Sequence, residues 1–158
     1  DSSTSRGLGD VYKRQVRGIH FADVPPSQAK YITVLSGSII DFIVDIRVGS
    51  PTFGQWESVV LDTSERKAVY LAEGLGHAFC ALEEDSTAMY LCSAPYTPER
   101  EHGINPLDTT VGLTLPDDIE PLLSPKDEAA PSLAQAEASG LLPRYDDCVR
   151  FYDSLRSA

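Results

Sequence analysis

Between Val16 and Ser93 the chain offers one short strand signal after another, and no helix-length segment separates them. The segments are Val16–Phe21, Lys30–Ser36, Ile39–Arg47, Trp56–Leu61, Ala68–Leu71, Ala78–Leu82 and Thr87–Ser93. In the third, Ile40, Phe42, Val44 and Ile46 alternate with Asp41, Asp45 and Arg47, the period of a half-buried strand. Gly37-Ser38 turns the chain into that segment, Gly49-Ser50-Pro51 breaks it, and Glu83-Glu84-Asp85 is expected to close a hairpin. Parallel α/β folds need a crossover helix between strands, so this spacing points to an all-β, jelly-roll barrel.

The flanks differ from this core. Asp1–Gln15 show neither the helical nor the strand period, and Asp10–Gln15 have the look of a translated sequencing adapter. They are expected to lie outside the fold as a leader, non-native or disordered, with a barrel core over residues 16–116. Residues 117–158 form a C-terminal segment with short helices. Ser132 and Gln135 have capping-box spacing ahead of Leu133, Ala136 and Ala138, Gly140 stops that helix, and Tyr145–Leu155 reads as another. Trp56 is expected in the core.

Composition narrows the functional classes. A formal net charge of -11 disfavours a nucleic-acid surface, although an anionic substrate fits if Arg and Lys gather at one mouth. Three widely spaced cysteines, Cys80, Cys92 and Cys148, fit reduced thiols in a cytoplasmic protein better than a disulfide framework. No apolar run reaches membrane-spanning length.

The chemistry is concentrated near Arg17-Gly18-Ile19-His20 and Lys30. Strand alternation puts Arg17 and Ile19 on one face and His20 on the other. Compared with the metal-binding cupin barrels, Ala72-Glu73-Gly74-Leu75-Gly76-His77 resembles the second motif, with Ala72 in place of its proline. In the first motif Lys30 stands where the ligand glutamate would be, and Ala22 where a second histidine would be. An ammonium there repels a divalent cation and suits an oxyanion or enolate, so no metal is expected.

Several motifs, in order and spacing, resemble the dTDP-4-dehydrorhamnose 3,5-epimerase family. They are Val16–Phe21, Gln28-Ala29-Lys30, Phe42–Arg47, Gly49–Gly54, Glu73–Phe79, Met89–Cys92 and Ser124-Pro125-Lys126-Asp127, and the tail Ala138–Pro143 is like that of actinobacterial members. The resemblance implies a cupin-like jelly-roll homodimer that inverts carbons 3 and 5 of a dTDP-linked 4-ketosugar without a cofactor. It also implies several dozen residues before the Arg17 motif, which Asp1–Gln15 do not supply.

By the same resemblance His20 is the base, Asp127 holds its tautomer, Tyr90 is the acid on the far side, and Lys30 faces the developing enolate. Arg17 meets the diphosphate, His77 lines the pocket beside Lys30, and Tyr96 stands near the nucleotide. His102 is expected to be an exposed loop residue. Three alternatives stay open: an epimerase acting at carbon 3 or carbon 5 alone, a metal-dependent cupin, and a non-catalytic sugar-nucleotide-binding barrel or inactive fragment.

Overall fold

The computed structural model describes residues 6–11 and 13–157 of the chain. Ten strands run in order: β1 (Arg6–Val11), β2 (Gln15–Ala22), β3 (Lys30–Ser36), β4 (Ser38–Val44), β5 (Trp56–Asp62), β6 (Val69–Leu71), β7 (Gly76–Ala81), β8 (Ser86–Cys92), β9 (Glu101–Gly103) and β10 (Leu122–Leu123). A 3-10 turn at Pro98–Arg100 precedes β9, and three helices, α1 (Pro125–Glu128), α2 (Leu133–Ala138) and α3 (Tyr145–Arg156), end the chain.

The strands form two sheets in a cupin-like jelly roll. One has the order β1-β8-β3-β6 and the other β10-β2-β7-β4-β5, with β9 added to β2. Arg6–Val11 falls within the stretch expected to lie outside the fold, yet its backbone runs antiparallel to β8. Residues 1–5, also part of that expected leader, lie outside the described residues.

The hairpin expected at Glu83-Glu84-Asp85 is a crossover instead. β7 pairs with β2 and β4, whereas β8 pairs with β1 and β3, so the turn carries the chain from one sheet to the other. The β3–β4 turn crosses beside it, and Ser86 fastens the two together. Its hydroxyl donates to Ser38 O (3.1 Å) and accepts from Ser38 N–H (3.2 Å). Gly37 has φ +69°, and a Cβ there would stand 2.3 Å from Ser86 Oγ, so only glycine fits the crossing.

Two apolar layers follow from the strand alternation. Between the sheets, Ile32, Val34, Leu71 and Ala88 meet Ile39, Leu61, Phe79 and Ala81. On the outer face of the second sheet, Ile19, Phe21, Phe42, Val44 and Ile46 are roofed by Ile104, Val111, Leu133, Ala136 and Leu142. Residues 104–142 therefore bury a sheet face that would otherwise meet water, at about 1.5–3 kcal/mol for each large apolar side chain. This roof is why β7 is buried along its whole length.

Local chemistry sets the edges of that roof. The expected capping box forms, with Gln135 N–H donating to Ser132 Oγ (3.2 Å) and Ser132 N–H to Gln135 Oε1 (2.9 Å). Helix α3 is anchored by Arg47 over the Tyr145 ring (5.0 Å) and by Tyr152 donating to Glu73 O. Asp45, expected on a solvated face, is buried. Its carboxylate accepts from Arg47 Nε (2.9 Å) and Nη2 (2.8 Å) and from the Ser50 (2.5 Å) and Thr52 (2.6 Å) hydroxyls. Among the described residues no helix is long and apolar enough to cross a membrane, and Cys80, Cys92 and Cys148 are free and buried.

Candidate active site

A cavity of about 310 Å³ opens between the sheets, and six of the seven candidate residues line it: Arg17, His20, Lys30, His77, Tyr90 and Tyr96. The seventh, Asp127, is buried behind His20. The three histidines of the chain all reach this cavity.

Arg17 and His20 share the cavity wall because β2 does not keep a plain two-residue period. Arg17 pairs with Phe79 and His20 with His77, so three steps along β2 match two along β7. The extra residue is a β-bulge, and it turns the strand so that both side chains face inward while Ile19 goes to the outer core. The expected placement of Arg17 and His20 on opposite faces is corrected by this bulge. Gly18 makes it sterically possible, with φ +128° and a Cβ position 2.5 Å from Ala78 Cβ.

His20 donates from Nε2 to Asp127 Oδ1 at 2.7 Å. In the neutral ring this hydrogen bond puts the proton on the nitrogen facing the carboxylate and leaves the lone pair on the other. Asp127 is positioned by α1: Ser124 Oγ caps the helix by accepting from Asp127 N–H (3.1 Å), and Gly18 N–H donates to Asp127 Oδ2 (3.4 Å). Burial pushes the Asp127 carboxyl up. The His20 hydrogen bond and charge, the Gly18 amide and the Ser124 hydroxyl outweigh it, so the group sits below its ordinary range.

The neighbouring strand repeats this pairing. Asp41, expected to point outward from its strand, is fully buried and faces inward. Both its oxygens accept from His77 Nε2 at 2.9 Å. Across the cavity, on the other sheet, Lys30 opens β3 and Tyr90 stands on β8. Burial holds the Lys30 pKa below its ordinary value, opposed by Cys92, Glu101 and Asp41. Cys92 is its cross-strand partner and also lines the cavity.

Sequence reasoning missed Gln28, Glu101 and Lys126 as lining residues, and it placed His102 in an exposed loop. His102 belongs to β9, lines the cavity, and donates from Nε2 to Asp23 Oδ1 at 2.8 Å. The signal for it was weak, because a three-residue strand carries no usable period. Glu101 is held by Gln28 Nε2 (3.3 Å) and Thr97 N–H (3.1 Å). Arg17, Lys30 and Lys126 therefore meet in one cavity of a chain whose net charge is -11, and none has an ion-pair partner among the described residues. Such a mouth attracts an anion.

The family model described as dTDP-4-dehydrorhamnose 3,5-epimerase matches residues 10–135. The dTDP-4-dehydrorhamnose 3,5-epimerase of Mycolicibacterium smegmatis is 57% identical over 141 residues, which are 89% of this chain and 69% of that protein. The chain belongs to the dTDP-4-dehydrorhamnose 3,5-epimerase family. Mono-epimerases are among its relatives: the dTDP-4-dehydro-6-deoxyglucose 3-epimerase of Streptomyces bikiniensis is 54% identical over 85% of this chain and 68% of that protein. Among solved structures, ChmJ, a 3'-monoepimerase from Streptomyces bikiniensis in complex with dTDP-quinovose, superposes with a TM-score of 0.96 and 48% identity, over 98% of this chain and 78% of that one. The rmlC epimerase of Mycobacterium tuberculosis gives a TM-score of 0.92 and 50% identity, over 95% of this chain and 76% of that one.

Proposed function

We propose that this member of the epimerase family inverts carbons 3 and 5 of dTDP-4-dehydro-6-deoxy-D-glucose, making the immediate precursor of dTDP-L-rhamnose. The observation that carries the reading is the Asp127-held His20 on one sheet and Tyr90 on the other, with Lys30 in the same cavity.

The 4-ketone acidifies the protons on carbons 3 and 5, and its oxygen takes the charge when one of them leaves. No cofactor is called for, since the substrate is its own electron sink. His20 removes the proton with its free nitrogen, and Asp127 stabilises the imidazolium that results. Lys30 receives the negative charge developing on oxygen 4. A lowered pKa makes its ammonium a stronger proton-sharing donor there, and its charge disfavours a divalent cation in the same place. Tyr90 returns a proton to the opposite ring face, which is the inversion; its phenolate then takes a proton from solvent and the His20 imidazolium gives one up to it. His77 and Tyr96 line the sugar and nucleotide ends, and Arg17 grips the diphosphate.

A homodimer is part of the same reading. It is supported by the outer face of the β1-β8-β3-β6 sheet, where Tyr31 (46% exposed), Leu35 (53%) and Tyr70 (66%) present apolar surface and Tyr31 pairs across strands with Tyr70. A reduced, cytoplasmic setting is also part of it, supported by three free buried thiols.

Inversion at carbon 3 alone is a second reading, favoured by the 54% identity to the Streptomyces bikiniensis 3-epimerase. Proton NMR of the product formed in deuterated water separates the two. Deuterium at both carbons with the L-configured product supports the first, deuterium and inversion at carbon 3 only supports the second, and no exchange at either contradicts both.

A further inference from the structure

Each histidine of the chain donates from Nε2 to an aspartate and lines the same cavity. The pairs at His20 and His77 have a place in the reaction described above; the pair at His102 has none. His102 sits on β9 opposite Phe21 of β2, with the two rings 5.5 Å apart at 47°. Its partner Asp23 is itself fixed: Asp23 N–H donates to Arg100 O (2.9 Å), and Asp23 O accepts from Ser27 N–H (2.8 Å). The imidazole is thus held by a carboxylate and by an aromatic ring. Its side chain remains 21% exposed.

A neutral His102 beside Asp23 leaves that part of the wall with one net negative charge, and a protonated His102 cancels it. The ionisable groups sharing the wall are Glu101 on the same strand, His20 and Arg17 on β2, and Lys126 on α1, while Arg100 lies with Asp23 and Glu101 in the pocket alongside. Of these only His20 is also an imidazole. Lys126 and Arg17 make this an anion-binding wall, and the His102–Asp23 pair adds to it or not with the imidazole proton.

We propose that His102, oriented by Asp23, is a further substrate-positioning residue whose protonation strengthens binding of the diphosphate of a sugar nucleotide. The inference rests on the sugar-nucleotide reading above. One charge gained or lost on the wall of a wet cavity changes affinity for a diphosphate about three- to fivefold.

The test is calorimetric binding of dTDP-glucose, which has no ketone and no titrating phosphate near neutrality, to the full chain at about pH 5.5 and about pH 8.5. Between these pH values the wild-type protein should lose about three- to fivefold more affinity than His102→Gln. His102→Arg should hold its low-pH affinity at the higher pH, and it reads the same charge whether or not the neutral variant folds. Thymidine, which lacks the diphosphate, should bind the wild-type and variant proteins alike at both pH values. Equal weakening of wild type and His102→Gln, or a pH response of His102→Arg equal to that of wild type, overturns the inference. So does a thymidine response as large as that of dTDP-glucose. A wild-type protein that binds no dTDP-glucose at either pH fails the sugar-nucleotide reading itself.

Discussion

In the proposed reaction His20 serves as a base because of what surrounds it. The carboxylate of Asp127 takes one ring nitrogen at 2.7 Å, and Asp127 is held in turn by the Gly18 amide and by the cap at Ser124. The carboxylates at 45 and 127 both sit below their ordinary range, so each adds stability that is present above the unfolded value of about 3.9 and is lost as pH falls toward the folded one. Asp45→Asn should flatten the acid side of a denaturation-versus-pH curve. Near neutrality it should cost about 3 kcal/mol, because it leaves the Arg47 guanidinium without its charge partner. Chemical denaturation at a series of pH values checks both. Arg17 has no ion-pair partner among the described residues, which suits it to the diphosphate in the proposed reaction. Arg17→Ala should weaken ligand affinity by about 1.5–3 kcal/mol, read as a raised KM with a much smaller change in kcat.

At the scale of elements, the bulge in β2 decides whether the site exists. Gly18→Ala would set a Cβ 2.5 Å from Ala78 Cβ and 2.6 Å from His77 O, on backbone with φ +128°. The strand must then shift, and His20 and Arg17 shift with it. The variant should lose at least about tenfold in kcat/KM, since misplacement near an ångström already costs about a hundredfold elsewhere, and steady-state kinetics on folded protein checks this. The bulge was not legible in the sequence. Plain alternation sent Arg17 and His20 to opposite faces, and a single inserted residue reverses that. Several strands were legible within a residue or two, as at β3 and β5, because their apolar periods are set by the core they enter, whereas β1, β9 and β10 were not. The crossover at Glu83-Glu84-Asp85 was not, because a short acidic turn reads the same within one sheet or between two. Nor was the inward turn of Asp41, whose partner His77 lies on another strand.

For the molecule as a whole, the most informative contrast is a cavity lined by Arg17, Lys30 and Lys126 in a chain of net charge -11. That gathering could be posed from composition but not read from it, because Lys126 reaches the cavity only through the packing of α1 against β2. Residues 104–142 roof the outer sheet and also carry Asp127, so the roof and the proposed catalytic pair share one segment. The apolar outer face of the other sheet makes an assembly prediction. Sedimentation velocity should give twice the 17.2 kDa chain mass, and Tyr31→Lys should move the population toward monomer. A wild-type protein that stays monomeric at micromolar concentration contradicts the dimer.

In the proposed reaction His20 and Tyr90 address opposite faces of one sugar ring. Proton NMR of the ketosugar in deuterated water, with His20→Ala and Tyr90→Phe side by side, tests this. Removing the base should slow deuterium entry at carbons 3 and 5 by about 100- to 10,000-fold, and removing the phenol should slow inversion while exchange by His20 persists. Wild-type exchange in His20→Ala, or full-rate inversion in Tyr90→Phe, would contradict it.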